Sequence, residues 1–138
     1  MLISVNPSNG LAIYDQIVRQ IKFAIASEAV VPGELVPSVR ELAKQVAVNP
    51  NTVSRAYREL QAEGVLEAVR GTGLEVTKAA PKKCRNDRLE MISERLRLVL
   101  NEAQQSQLEV TEIRELAEAE LNRLNGSQTA TETTGESV

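Results

Sequence analysis

The chain has no histidine, no tryptophan and a single cysteine, Cys84, among its 138 residues. Without histidine, zinc fingers, imidazole acid–base chemistry and Ser-His-Asp triads are excluded, and most transition-metal sites go with them. No metal, cofactor or enzymatic activity is therefore expected, because one thiol and scattered carboxylates leave nothing to act as base and nucleophile. A lone cysteine cannot form an internal disulfide, which fits a reducing cytosol. No run approaches the roughly 18 apolar residues of a membrane helix, and the first residues lack a basic, apolar, small-residue signal pattern. A cytoplasmic protein without membrane contact is expected. Aromatic residues number three, Tyr14, Phe23 and Tyr57, so stacking on single-stranded bases has almost nothing to use. Leu, Ile, Val and Ala must build the core, which favours helices over a sandwich.

A net charge of −3 looks unsuited to a nucleic-acid binder until it is mapped along the chain. Residues 1–101 carry 14 basic against 11 acidic side chains, a net of +3, and residues 102–138 carry 2 against 8, a net of −6. An acidic C-terminal part thus masks a basic N-terminal one.

After a lead-in of about 8 residues, Ile13, Ile17, Ile21 and Ile25 recur every fourth position, which predicts an amphipathic helix ended by Pro32-Gly33. Leu35-Val36-Pro37 reads as a short extended link. Ser38, three residues before Glu41, forms a capping box and opens a second helix with Leu42 and Ala43 turned inward. Asn49 followed by Pro50 opens a third, which carries Val53, Ala56, Tyr57 and Leu60 inward and ends at Gly64. Two short helices joined by about three residues make a helix-turn-helix. Beyond Gly64 the period becomes two, and strands on either side of Arg70-Gly71-Thr72-Gly73 predict a hairpin, a wing. Tyr57 is expected in the core with its hydroxyl at the surface.

The predicted organisation is mainly α with a small β-hairpin: a winged helix-turn-helix over 9–78, a hinge over 79–84, a helical element over 85–124 and a disordered tail over 125–138. Within 85–124, one apolar stripe includes Leu89, Ile92, Leu96 and Val99, and a second includes Ile113, Leu116, Leu121 and Leu124. These must pack on the winged part, on each other or on a second copy of the chain. Lys82, Lys83 and Arg85 read as a solvated hinge, although they could lower the pKa of Cys84.

A DNA-reading helix needs short polar groups near its N-terminus and a basic rim. Asn49, Asn51, Thr52, Ser54 and Arg55 supply these on the third helix, flanked by Arg40 and Lys44 on the second. Asn49 and Ser38 also have a plain role as helix caps, and Gly71 and Gly73 as turn formers.

The ordered set Ile13-Tyr14-Asp15-Gln16-Ile17, Pro32-Gly33, Pro37-Ser38-Val39-Arg40-Glu41-Leu42-Ala43, Asn49-Pro50-Asn51-Thr52-Val53, Ala56-Tyr57, Glu63-Gly64 and Arg70-Gly71-Thr72-Gly73 resembles the GntR family of bacterial transcription regulators. The short helical part after the wing is similar to the YtrA-type subgroup, in which two helices mainly serve dimerisation. The resemblance implies a homodimeric regulator, expected to be a repressor, on a double-stranded DNA operator. It further implies DNA contacts from Arg40, Asn49, Asn51, Thr52, Ser54 and Arg55, with Arg70, Gly71 and Thr72 as a wing tip in the minor groove. Ala47 departs from the pattern where glycine is usual in the turn, Glu75 where an aromatic often fills the outgoing wing strand, Ser27-Glu28-Ala29 where a glycine often ends the first helix, and Pro50 stands where other members place an arginine. A small-molecule effector is left open: with no effector domain, one could act only between the C-terminal helices or between them and the wing. The alternative reading of the residues is a winged-helix adaptor that binds protein rather than DNA.

Overall fold

The computed structural model describes the backbone of residues 1–136 and the side chains of 1–126. It contains α1 (Ile13–Ala26), α2 (Val39–Val46), α3 (Pro50–Ala62), β1 (Leu66–Val69), β2 (Gly73–Val76), α4 (Ala80–Gln105) and α5 (Val110–Glu136). The elements fall into two compact units, Met1–Ile92 and a second beginning at Ser93.

In the first unit the four-residue spacing of α1 does what it predicts. Ile17, Ile21 and Ile25 are fully buried and meet Leu42 of α2 and Val53, Ala56 and Leu60 of α3 in one core. β1 and β2 pair antiparallel from Leu66↔Val76 to Val69↔Gly73. The link before α2 joins them as a third edge, because Val36 N–H donates to Leu74 O at 3.0 Å and Val76 N–H to Glu34 O at 3.0 Å. Ser38 Oγ accepts from Glu41 N–H at 3.1 Å, so the hydroxyl half of the capping box starts α2. α3 ends in a Schellman turn: Gly64 has φ +77, and Val65 N–H reaches back to Leu60 O at 2.9 Å.

Three expectations about this unit are corrected. Residues 1–8 are no loose lead-in: Met1, Ile3 and Val5 pack on the core, and Gln16, buried on α1, ties Asn6 down in both directions, donating to its O at 2.8 Å and accepting from its N–H at 2.7 Å. The expected hinge over 79–84 is instead the beginning of α4. Pro81 is its second residue, where no intrahelical partner for an N–H is needed, and Ala80 and Cys84 are buried in the core. Finally, the Tyr57 hydroxyl is not at the surface but donates to Pro37 O at 2.7 Å, and burial followed by the charge of Glu41 drives its pKa upward.

An ion cluster around the buried Lys22 fastens the root of α4. Lys22, only 5% exposed, lies 2.8 Å from Glu63 and 3.0 Å from Asp87, and Lys83 also pairs with Asp87 at 3.0 Å. Burial alone would lower the pKa of Lys22, but bonding and charge from Glu63 and Asp87 outweigh it and raise it. Burial of Asp87 acts against its ionisation, yet Lys22 and Lys83 prevail and hold the carboxyl below its ordinary value. The basic neighbours do not lower the pKa of Cys84: burial pushes the thiol up to about 11, outweighing them.

In the second unit, α4 ends at a turn where Gln107 has φ +75, and α5 follows. Leu96, Val99, Leu116, Leu121 and Leu124 remain at least half exposed, Ile113 being partly covered. In the first unit Leu89 and Ile92 are exposed as well, Leu89 to 73%. The tail expected to be disordered over 125–138 continues the backbone of α5 to Glu136, and 137–138 lie outside the described residues. Extending an existing helix needs no new nucleus, and the stretch contains no proline to stop it.

Candidate nucleic-acid interface

The turn between α2 and α3 fixes the direction of α3. Ala47 adopts a left-handed conformation (φ +56, ψ +48), and Val48 N–H returns to Ala43 O at 3.0 Å. Asn49 Oδ1 then accepts from Asn51 N–H at 2.8 Å, with Pro50 as the first helical residue. The oxygen of Asn49 is thereby spent on the cap, and only its amide N–H groups are left to meet DNA.

With Val53, Ala56, Tyr57 and Leu60 facing the core, the 3.6-residue period turns Asn51, Arg55 and Arg58 to the opposite face, where all three are exposed. Thr52 and Ser54 flank them, half-buried. Arg40 and Lys44, one turn apart on α2, are exposed too. The wing closes through Arg70, Gly71 and Thr72, all exposed, with Thr72 N–H donating to Val69 O at 2.9 Å and Gly71 at φ +77. Glycine at Gly71 thus satisfies the turn before anything else.

The structure brings α3 and the wing together around a groove of about 480 Å³ lined by Asn51, Ser54, Arg58 and Gln61 on one side and Leu74 on the other, with Val39 and Tyr57 at its floor. None of Arg40, Lys44, Arg55, Arg58 and Arg70 forms an ion pair among the described residues. Five cations without a carboxylate partner among the described residues, on α2, α3 and the wing, form a surface whose natural complement is polyanionic. Among the described residues no three His, Cys, Asp or Glu side chains are grouped to hold a metal ion, and no helix is long and apolar enough to cross a membrane.

Two features went unread in the sequence. The Arg55 guanidinium stacks on the ring of Tyr14, 3.7 Å from its centroid, although Tyr14 reads as part of an apolar face. Lys22 occupies the apolar side of α1 between Val18 and Ile25, and a lysine at such a position signals a carboxylate partner from another element.

A family profile described as bacterial regulatory proteins, gntR family, matches residues 13–76, which is α1 through β2. The repressor YtrA of Bacillus subtilis is 36% identical over 114 residues, covering 83% of this chain and 88% of its own length. The solved structure of a GntR family transcriptional regulator from Listeria monocytogenes superposes with a TM-score of 0.61 at 31% identity, over 81% of this chain and 97% of that one. The AraR DNA-binding domain in complex with operator ORX1 gives a TM-score of 0.51 at 26% identity, over 55% of this chain and 96% of that one. With the profile matched over α1 through β2 and 83% of the chain shared with YtrA at 36% identity, the chain belongs to the GntR family of DNA-binding transcription regulators, not to a class of enzymes.

Proposed function

We propose that the chain acts in the cytoplasm as a homodimeric repressor on a two-fold symmetric operator, with α3 in the major groove and the wing tip in the adjacent minor groove. The observation that carries this reading is the exposed set Asn51, Arg55 and Arg58 on one face of α3, with neither arginine in an ion pair among the described residues, next to a wing whose Arg70 is exposed as well. Asn51 and Arg55, aided by Thr52 and Ser54, read base edges. Arg40 and Lys44 hold phosphates, Asn49 caps α3 and donates its amide, and Arg70 enters the minor groove over Gly71 and Thr72. The stripes Leu89, Ile92, Leu96, Val99 and Ile113, Leu116, Leu121, Leu124 form the seam with the second copy, since lone chains rarely leave so much apolar surface in water. Repression is supported by the likeness to YtrA.

Selection of bound duplexes from a random pool with the full chain tests the reading. Recovery of an inverted repeat is expected. On that duplex Asn51→Ala and Arg55→Ala each cost about 1–3 kcal/mol and much less on random DNA. Lys44→Ala weakens both alike and flattens the logarithmic salt slope by about one unit. Equal losses for all three variants on both DNAs would overturn the division into base and phosphate contacts, and failure to enrich any sequence would overturn operator recognition.

A further inference from the structure

Arg55 is not a free-swinging side chain. Its guanidinium carbon stands over the face of Tyr14, 3.7 Å from the ring centroid, and Tyr14 is the second residue of α1. Tyr14 is half-buried while Arg55 is exposed, so a ring with two torsions, wedged where α1 meets α3, carries a side chain that would otherwise range over many rotamers. Contact through the guanidinium face leaves its N–H donors, which lie in the plane, available at the edge. Those donors are what a guanine edge or a phosphate accepts from. The adjacent carboxylate does not compete, because Asp15 is held by Arg19 at 3.1 Å.

We propose that Tyr14 is a positioning residue for Arg55: its ring orders the guanidinium before DNA arrives, so that α1 contributes to sequence discrimination without itself touching a base. This rests on the reading of Arg55 as a DNA contact. Ordering in advance removes part of the entropy that an exposed arginine loses when it binds, and the ring's hold on the cation is modest enough to yield to the geometry of a base pair. A stack that served folding alone would leave affinity and discrimination unchanged in the folded protein. One that orders Arg55 must show coupling between the two residues on DNA.

The test uses the full chain and the duplex recovered from the random pool, with equilibrium binding of Tyr14→Phe, Tyr14→Leu, Arg55→Ala and the double variant Tyr14→Leu/Arg55→Ala, each corrected for folded fraction from its melting curve. Tyr14→Phe keeps the ring face and binds within about twofold of the unsubstituted protein. Tyr14→Leu weakens binding to the selected duplex by about two- to five-fold, weakens random duplex less, and adds no further loss when Arg55 is already alanine. Equal losses in both backgrounds would overturn the proposal, as would unchanged or tighter binding by Tyr14→Leu. If Arg55→Ala binds like the unsubstituted protein, the contact reading falls and this inference with it. If Arg55→Ala weakens binding but Tyr14→Leu is uncoupled from it, the inference alone falls.

Discussion

Left-handed backbone at Glu28 (φ +66) and Ala47 (φ +56) places two L-residues where a Cβ crowds the following carbonyl. After both, the next residue closes the helix with the same back-reaching bond that Val65 makes after Gly64 in α3: Ala29 N–H to Ala24 O at 2.9 Å and Val48 N–H to Ala43 O at 3.0 Å. Glycine would relieve strain of about 1–2 kcal/mol at each site and give back about 0.5–1 kcal/mol through a freer unfolded chain. Ala47→Gly is therefore expected to stabilise the protein by about 0.5–1 kcal/mol, raising the midpoint of thermal unfolding by a few degrees. A lower midpoint would mean that the turn carries no strain. Ala47 was legible in the sequence as a departure from the family pattern, and the end of α1 only as the stretch Ser27-Glu28-Ala29, without saying which residue turns left-handed. Lys22 was not, because a lone lysine on an apolar stripe does not say which distant carboxylates will meet it. Lys22→Met keeps the length of the side chain and removes the ion that holds Glu63 and Asp87. A loss of about 2 kcal/mol is expected in chemical denaturation, reduced from the full buried-pair cost because both carboxylates are partly exposed.

At the scale of elements, α4 shows where pattern reading fails. Pro81 and the surrounding lysines look like a linker by composition, yet a proline in the first turn of a helix is at its most compatible place. What decides is burial of Ala80 and Cys84, a tertiary property that local composition does not carry. The helix-turn-helix and the wing, by contrast, were legible because caps, periods and turn residues all agree locally. The buried root of α4 makes a testable claim about Cys84. Its thiol, raised to about 11 and without exposure, is expected to resist alkylation at pH 8 until the protein unfolds, so that the labelling rate climbs with denaturant. Rapid labelling in buffer alone would show that the α4 root opens. The same groups set the pH limits. The unfolded thiol ionises above about pH 9 while the folded one does not. Stability from Cys84 is thus full below that pH and lost on rising toward 11. Lys22, raised in the fold, gives support that is full below its ordinary value of 10.5 and is lost as pH rises beyond it. Asp87, lowered, contributes above the ordinary carboxylate range and loses this as pH falls through it. Melting midpoints are expected to be flat between about pH 5 and 8.5 and to fall on both sides.

At the scale of the whole molecule, apolar exposure on α4 and α5 is the feature that one chain does not explain. Leu96 and Leu116 are more than half exposed, and burying a leucine gains about 1.5–3 kcal/mol, so a seam of such residues used twice across a two-fold axis is ample for association. Light scattering at micromolar concentration is expected to give twice the chain mass of 15.1 kDa. Leu96→Glu puts two carboxylates into that seam, where neither finds a partner and each must be desolvated. The variant is expected to run as a monomer with an unchanged melting profile for the winged part, since Leu96 lies outside that unit. Its binding to a single half-site should match that of the unsubstituted protein, because no DNA-facing side chain is altered. On the full repeat it should lose the gain from simultaneous engagement, roughly 100-fold or more. A Leu96→Glu protein that remains dimeric would place the seam elsewhere, and a monomer that still holds the full repeat tightly would mean that each wing and α3 recognise DNA without help from a second copy.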